Sequence, residues 1–145
     1  KKIARHFEST AGKTVAVWGL SFKPNTSDTR EASALVLIED LLRAGALVRA
    51  HDPVAIPEAR KAILPHPNLE FTGNHLEAVR GADALVLVTE WDLYKQPDFD
   101  RLARLMNSPV VFDGRNQYNP HEMRRHGFTY YSIGRPSVNG GNPEP

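Results

Sequence analysis

Val15-Ala16-Val17-Trp18-Gly19-Leu20-Ser21-Phe22-Lys23-Pro24 is an apolar run that stops at a glycine and passes into Asn25-Thr26-Ser27-Asp28-Thr29-Arg30-Glu31-Ala32-Ser33. The run ends as the first strand of a dinucleotide-binding sheet ends, but the loop then carries an aromatic and a lysine where a dinucleotide loop has further glycines. A loop of that composition touches an anion with side chains. Pro24, the turn residues Asn25 to Ser27 and the capping-box pair Asp28 and Glu31 open a helix after it. Arg30 then falls in the first turn, where the helix dipole disfavours a cation by about 0.3–1 kcal/mol. A cation kept there has a task other than helix stability.

Outward from this stretch, apolar runs of strand length alternate with segments of helical period, the signature of βα units and a mostly parallel sheet. Strands are expected at Thr14 to Trp18, Leu47 to His51, Glu70 to Thr72, Ala84 to Val88, Val110 to Phe112 and Thr129 to Tyr131. The expected fold is therefore α/β and Rossmann-like, with about six strands and helices on both faces. Helices are expected near Thr29 to Ala44, Pro57 to Leu64, His75 to Gly81 and Asp98 to Met106, the first ended by Gly45. The tail from Pro136 to Pro145 is poor in apolar residues and is expected to stay disordered.

The 145 residues suit one domain. A formal charge of +1 with both signs interspersed argues against nucleic acid or a membrane surface as partner. No apolar run approaches a membrane span, so a soluble, cytoplasmic protein is expected. The chain has no cysteine, which excludes disulfides, thiolate metal sites and a thiol nucleophile from these residues. Its six histidines lack metal-ligand spacing, and no metal is expected. The basic start, Lys1-Lys2-Ile3-Ala4-Arg5-His6-Phe7, reads as the end of a helix arriving from elsewhere, so the chain is expected to be a piece of a longer polypeptide.

Open parallel sheets bind ligands beyond the carboxyl ends of their strands. Phe22 and Lys23 follow the first strand, Asp52-Pro53 the second, Thr89-Glu90-Trp91-Asp92 the fourth and Asp113-Gly114-Arg115-Asn116 the fifth. Lys23 and Arg115 together suit a diphosphate, one as a point charge and one as a bidentate fork, although each alone also reads as a solvated loop residue. Phe22 either stacks on a base or ribose or covers the sheet. Asp52 is expected to serve the turn with Pro53, and Trp91 a ligand wall, a subunit contact or a structural corner.

In order along the chain, Gly19 to Ser33, Ala50-His51-Asp52-Pro53, Thr89-Glu90-Trp91, Asp113-Gly114-Arg115-Asn116 and Tyr131-Ser132-Ile133-Gly134-Arg135 resemble the carboxy-terminal domain of the UDP-glucose/GDP-mannose dehydrogenase family, nearest its bacterial UDP-glucose-oxidising branch. The resemblance implies a Rossmann-like domain over residues 13–135 that closes on a nucleotide-sugar, preceded at residues 1–12 by the end of a linker helix from NAD-binding and central helical domains. It implies that Phe22, Lys23 and Arg115 contact the nucleotide-sugar and that Arg30 reaches the NAD of the other domain. The complete enzyme, expected as a homodimer, oxidises the sugar C6 alcohol to a carboxylate in two NAD-dependent steps on a cysteine aided by a lysine and an aspartate. This chain lacks that cysteine and the glycine-rich loop, so it holds no catalytic residue and is not expected to turn over alone. The alternative is a free-standing module that binds a mononucleotide or mediates assembly.

Overall fold

The computed structural model describes residues 9–20, 33–132, 135–139 and 142–143. Eight strands form one sheet in the order β3-β2-β1-β4-β5-β6-β7-β8. They are β1 (Thr14–Trp18), β2 (Leu47–His51), β3 (Leu69–Phe71), β4 (Ala84–Leu87), β5 (Val110–Asp113), β6 (Thr129–Ser132), β7 (Arg135–Asn139) and β8 (Asn142–Pro143). The six strands from β3 to β6 in that order run parallel, and β7 and β8 add antiparallel at one edge.

The helices are α1 (Ser33–Arg43), α2 (Ile56–Ala62), α3 (His75–Val79), α4 (Asp92–Lys95), α5 (Phe99–Leu105) and α6 (Pro120–Arg125). They cover both faces, which is why β1 reads as a continuous apolar run: Val15, Ala16, Val17 and Trp18 are all fully buried. Their alternation splits the core in two. Val15 and Val17 join Ala34, Ile38, Leu41 and Leu42 of α1 in an aliphatic layer with α2. Ala16 and Trp18 face the other way, into an aromatic layer with Trp91, Tyr94, Tyr118, Phe128 and Tyr130.

Local chemistry sets the element ends. Gly45, at φ +89°, closes α1: its N–H donates to Leu42 O at 3.0 Å and Ala46 N–H to Leu41 O at 3.0 Å, the paired bonds of a Schellman end. The side chains of Asn74, Asp98 and Asn119 accept from first-turn amides of α3, α5 and α6. The expected strands stand within a residue or two of those observed, and α4 and α6 are additions too short to display a helical period. The expected start of α1 at Thr29 lies outside the described residues.

The expectation of a disordered tail is corrected at β7 and β8. An open sheet edge supplies backbone hydrogen bonds to whatever strand returns to it, and Arg135–Asn139 pairs antiparallel with β6.

Candidate functional site

The strand order reverses between β1 and β4, so the crevice beyond their carboxyl ends is the topological switch point. Gly19 leaves β1 at φ +103°, and a Cβ built there would lie 2.5 Å from Thr89 Cβ. Only glycine lets these two loops approach so closely.

Two buried carboxylates organise the rim. Asp52, 3% exposed at the end of β2, accepts from Leu20 N at 2.8 Å and Trp91 Nε1 at 3.1 Å through Oδ2, and from Val54 N and Ala55 N at 2.9 and 2.8 Å through Oδ1. The turn role expected of Asp52 is present, joined to a larger one: it ties the ends of β1, β2 and β4 together. Trp91 is thereby a structural corner held by its indole N–H.

Asp113, 2% exposed at the end of β5, does the same for the next loop. Its Oδ1 accepts from Arg115 N at 2.9 Å, and its Oδ2 from Gln117 N, Tyr118 N and Tyr130 Oη at 2.7, 2.8 and 2.7 Å. Arg115 stands on this loop at the rim. Its guanidinium reaches Glu90 Oε1 at 3.1 Å, with both side chains about 40% exposed. A half-exposed pair of that kind is worth about 0–1 kcal/mol, little enough for an incoming phosphate to compete with it. Phe22, Lys23 and Arg30 lie outside the described residues, so Arg115 is the expected ligand contact placed here.

Beneath the rim lies an aromatic layer in which the sequence singled out no functional residue apart from Trp91. Tyr94, fully buried in α4, stacks on Trp18 with ring centroids 4.8 Å apart. Its hydroxyl donates to His51 O at 3.1 Å and lies 2.7 Å from His51 Nδ1. Tyr94 O in turn accepts from Tyr118 Oη at 2.6 Å, and Tyr130 Oη lies 3.0 Å from Tyr118 O. Burial holds the hydroxyls of Tyr94 and Tyr118 protonated far above the usual phenol range, with Asp52 and Asp113 respectively adding to it. Burial also lowers His51 to about 4, helped by the neighbouring His75 and opposed by Asp52, and it lowers His75, with Arg101 adding to the effect. No local pattern marks Tyr94 or His51, because their partners stand 24 and 43 residues away.

At the end of β1 the two described amides are engaged inside the molecule. In a dinucleotide fingerprint the loop amides and the following helix face the pyrophosphate. Here Gly19 N–H donates to His51 O at 2.8 Å, Leu20 N–H to Asp52, and the Leu20 side chain is fully buried. Among the described residues no group of histidines and carboxylates is arranged to hold a metal. No helix among them is long and apolar enough to cross a membrane.

Fold and rim together define a doubly wound α/β domain of the nucleotide-binding type. Residues 16–120 match the UDP binding domain of the UDP-glucose/GDP-mannose dehydrogenase family, and the chain belongs to that family. It is 52% identical over 132 residues to a UDP-glucose 6-dehydrogenase of Pseudomonas aeruginosa, covering 86% of this chain and 28% of that protein. The UDP-glucose 6-dehydrogenase TuaD of Bacillus subtilis is 43% identical over 135 residues, covering 93% and 29%. Among solved structures, a UDP-glucose dehydrogenase of Pyrobaculum islandicum superposes with a TM-score of 0.73 at 28% identity, over 90% of this chain and 27% of that one. The chain thus spans under a third of the relatives it matches.

Proposed function

We propose that this chain is the nucleotide-sugar-holding part of an NAD-dependent UDP-glucose 6-dehydrogenase, which oxidises UDP-glucose to UDP-glucuronate with two NAD. The 52% identity to the Pseudomonas enzyme carries the reading. Arg115 contacts the nucleotide-sugar from the β5 loop, exchanging Glu90 for phosphate, while Phe22 and Lys23 contact it from the loop after β1. Arg30 reaches NAD held by another domain, which accords with a β1 end whose amides are already engaged internally. The thiol that carries the sugar through oxidation has to come from outside these residues, since the chain has no cysteine. The reading includes preceding NAD-binding and helical domains and a cytoplasmic homodimer.

Titration calorimetry with UDP tests it. The chain is expected to bind UDP and, with NAD and UDP-glucose, to produce no NADH. Lys23→Met and Arg115→Ala are each expected to weaken UDP binding roughly tenfold to a hundredfold, the loss of a charge-assisted hydrogen bond. Thermal melts are expected to show Arg115→Ala folded as the parent is, because the Glu90 pair contributes at most about 1 kcal/mol. Absence of UDP binding by the parent chain overturns the reading.

A further inference from the structure

We propose that Tyr94 is a positioning residue: through its hydroxyl and its carbonyl it ties the end of β1 to the Arg115 loop, so that both sides of the nucleotide site are held in one geometry. The inference rests on the reading of the rim as the nucleotide-sugar site. Tyr94 is fully buried beneath that rim, so its effect on a ligand there is transmitted through other groups.

The path is continuous. On one side, His51 O receives both Gly19 N–H at 2.8 Å and the Tyr94 hydroxyl at 3.1 Å, so the glycine that starts the phosphate-side loop and the α4 turn share one acceptor. The 2.7 Å contact to His51 Nδ1 fixes the hydroxyl from a second direction. On the other side, Tyr94 O receives the Tyr118 hydroxyl at 2.6 Å. Tyr118 N–H donates to Asp113 Oδ2, and Asp113 Oδ1 accepts Arg115 N–H. Every side chain on this path is buried, where a hydrogen bond resists exchange with water and its loss leaves a polar group uncompensated. The stack on Trp18 at 4.8 Å keeps the Tyr94 ring from turning away from either partner. Asp52 with Trp91 fastens the start of the α4 turn to the same strand ends, so the tie is anchored at both ends of one short helix.

A tie of this kind makes one group's contribution depend on another, which a double-mutant cycle measures. Tyr94→Phe removes the hydroxyl and keeps the stacked ring. UDP binding to the full chain, followed by calorimetry, is expected to weaken roughly threefold to tenfold in Tyr94→Phe, the equivalent of one net hydrogen bond. Arg115→Ala loses its tenfold to hundredfold in the parent background, and the double variant is expected to bind about as Arg115→Ala does alone, because with the arginine gone the tyrosine hydroxyl has nothing left to position. A merely structural tyrosine lowers the melting temperature and leaves the arginine's contribution whole, so the two losses multiply. That result overturns the proposal, as does a Tyr94→Phe chain with parental affinity. Tyr118→Phe removes the other end of the tie and serves the same cycle if Tyr94→Phe does not fold. A parent chain that binds no UDP overturns the functional reading itself, a different failure from a parent that binds and shows no coupling.

Discussion

Asp52 and Asp113 are the same residue in the same topological position, each buried at the carboxyl end of a parallel strand, and they organise the molecule in different ways. Three of the donors to Asp113 are amides of its own loop, Arg115, Gln117 and Tyr118, and Tyr130 Oη comes from the neighbouring β6. Asp52 also serves its own loop through Val54 and Ala55, but its Oδ2 gathers Leu20 N from 32 residues before and Trp91 Nε1 from 39 residues after. One carboxylate shapes a loop and the other fastens three strand ends. Buried donors left without an acceptor cost about 1–3 kcal/mol each, so the comparison predicts where damage spreads as well as how much there is.

The largest expected effect is at Asp52. Asp52→Ala strands donors on three strand ends at once and should destabilise the chain by about 4 kcal/mol in urea denaturation. A loss under about 1 kcal/mol would reduce Asp52 to an ordinary turn residue and erase the contrast.

Acid should attack the same side of the molecule next. His51 sits beside Asp52 and titrates at about 4 in the folded chain, against about 6.5 when unfolded. The unfolded chain therefore binds the proton first, and stability falls as pH drops from about 6.5 to about 4, by about 3 kcal/mol in all, while above 6.5 the full stability is present. His75, lowered in the same direction, adds to the trend. Denaturation midpoints measured between pH 7 and pH 4 should fall steeply in the parent and less in His51→Gln. Equal slopes would assign the acid sensitivity to other groups.

Of the two carboxylates the smaller loss of stability is expected for Asp113→Ala, about 2 kcal/mol, because water can reach a loosened loop more readily than a knot between strands. Its effect should reach function as well: the Arg115 loop loses its internal acceptor, and UDP affinity should drop roughly tenfold, read by calorimetry on the folded variant. If Asp113→Ala destabilises as much as Asp52→Ala with UDP affinity intact, the division between loop-shaping and strand-fastening carboxylates does not hold.

Much of this was legible before any coordinates. The bounds of β1 and β2 follow from apolar runs cut by turn residues, and Arg115 was legible as a rim residue because Asp-Gly-Arg-Asn directly follows an apolar strand. The Asp113 hub was half legible for the same reason, since a carboxylate accepting amides two to five residues later is a local event. The Asp52–Trp91 bond was not, because two residues 39 apart carry no joint signal in a single sequence. Tyr94 was invisible: α4 has four residues, too few for a period, and its tyrosine looks like any core aromatic until β1, β2 and the β5 loop close around it.

The order of strands and helices, the doubly wound class, the family resemblance and the absence of a thiol were determined by the sequence, since each depends on residue type or on spacing within a few positions. Tertiary structure alone decided which buried carboxylate fastens the rim, that the β1 amides are spent inside the molecule, that the tail returns as an edge strand, and that a buried tyrosine joins the two sides of the site. These are contacts between residues distant in the chain, and long-range hydrogen bonds exist only once the sheet has set the register that brings their partners together.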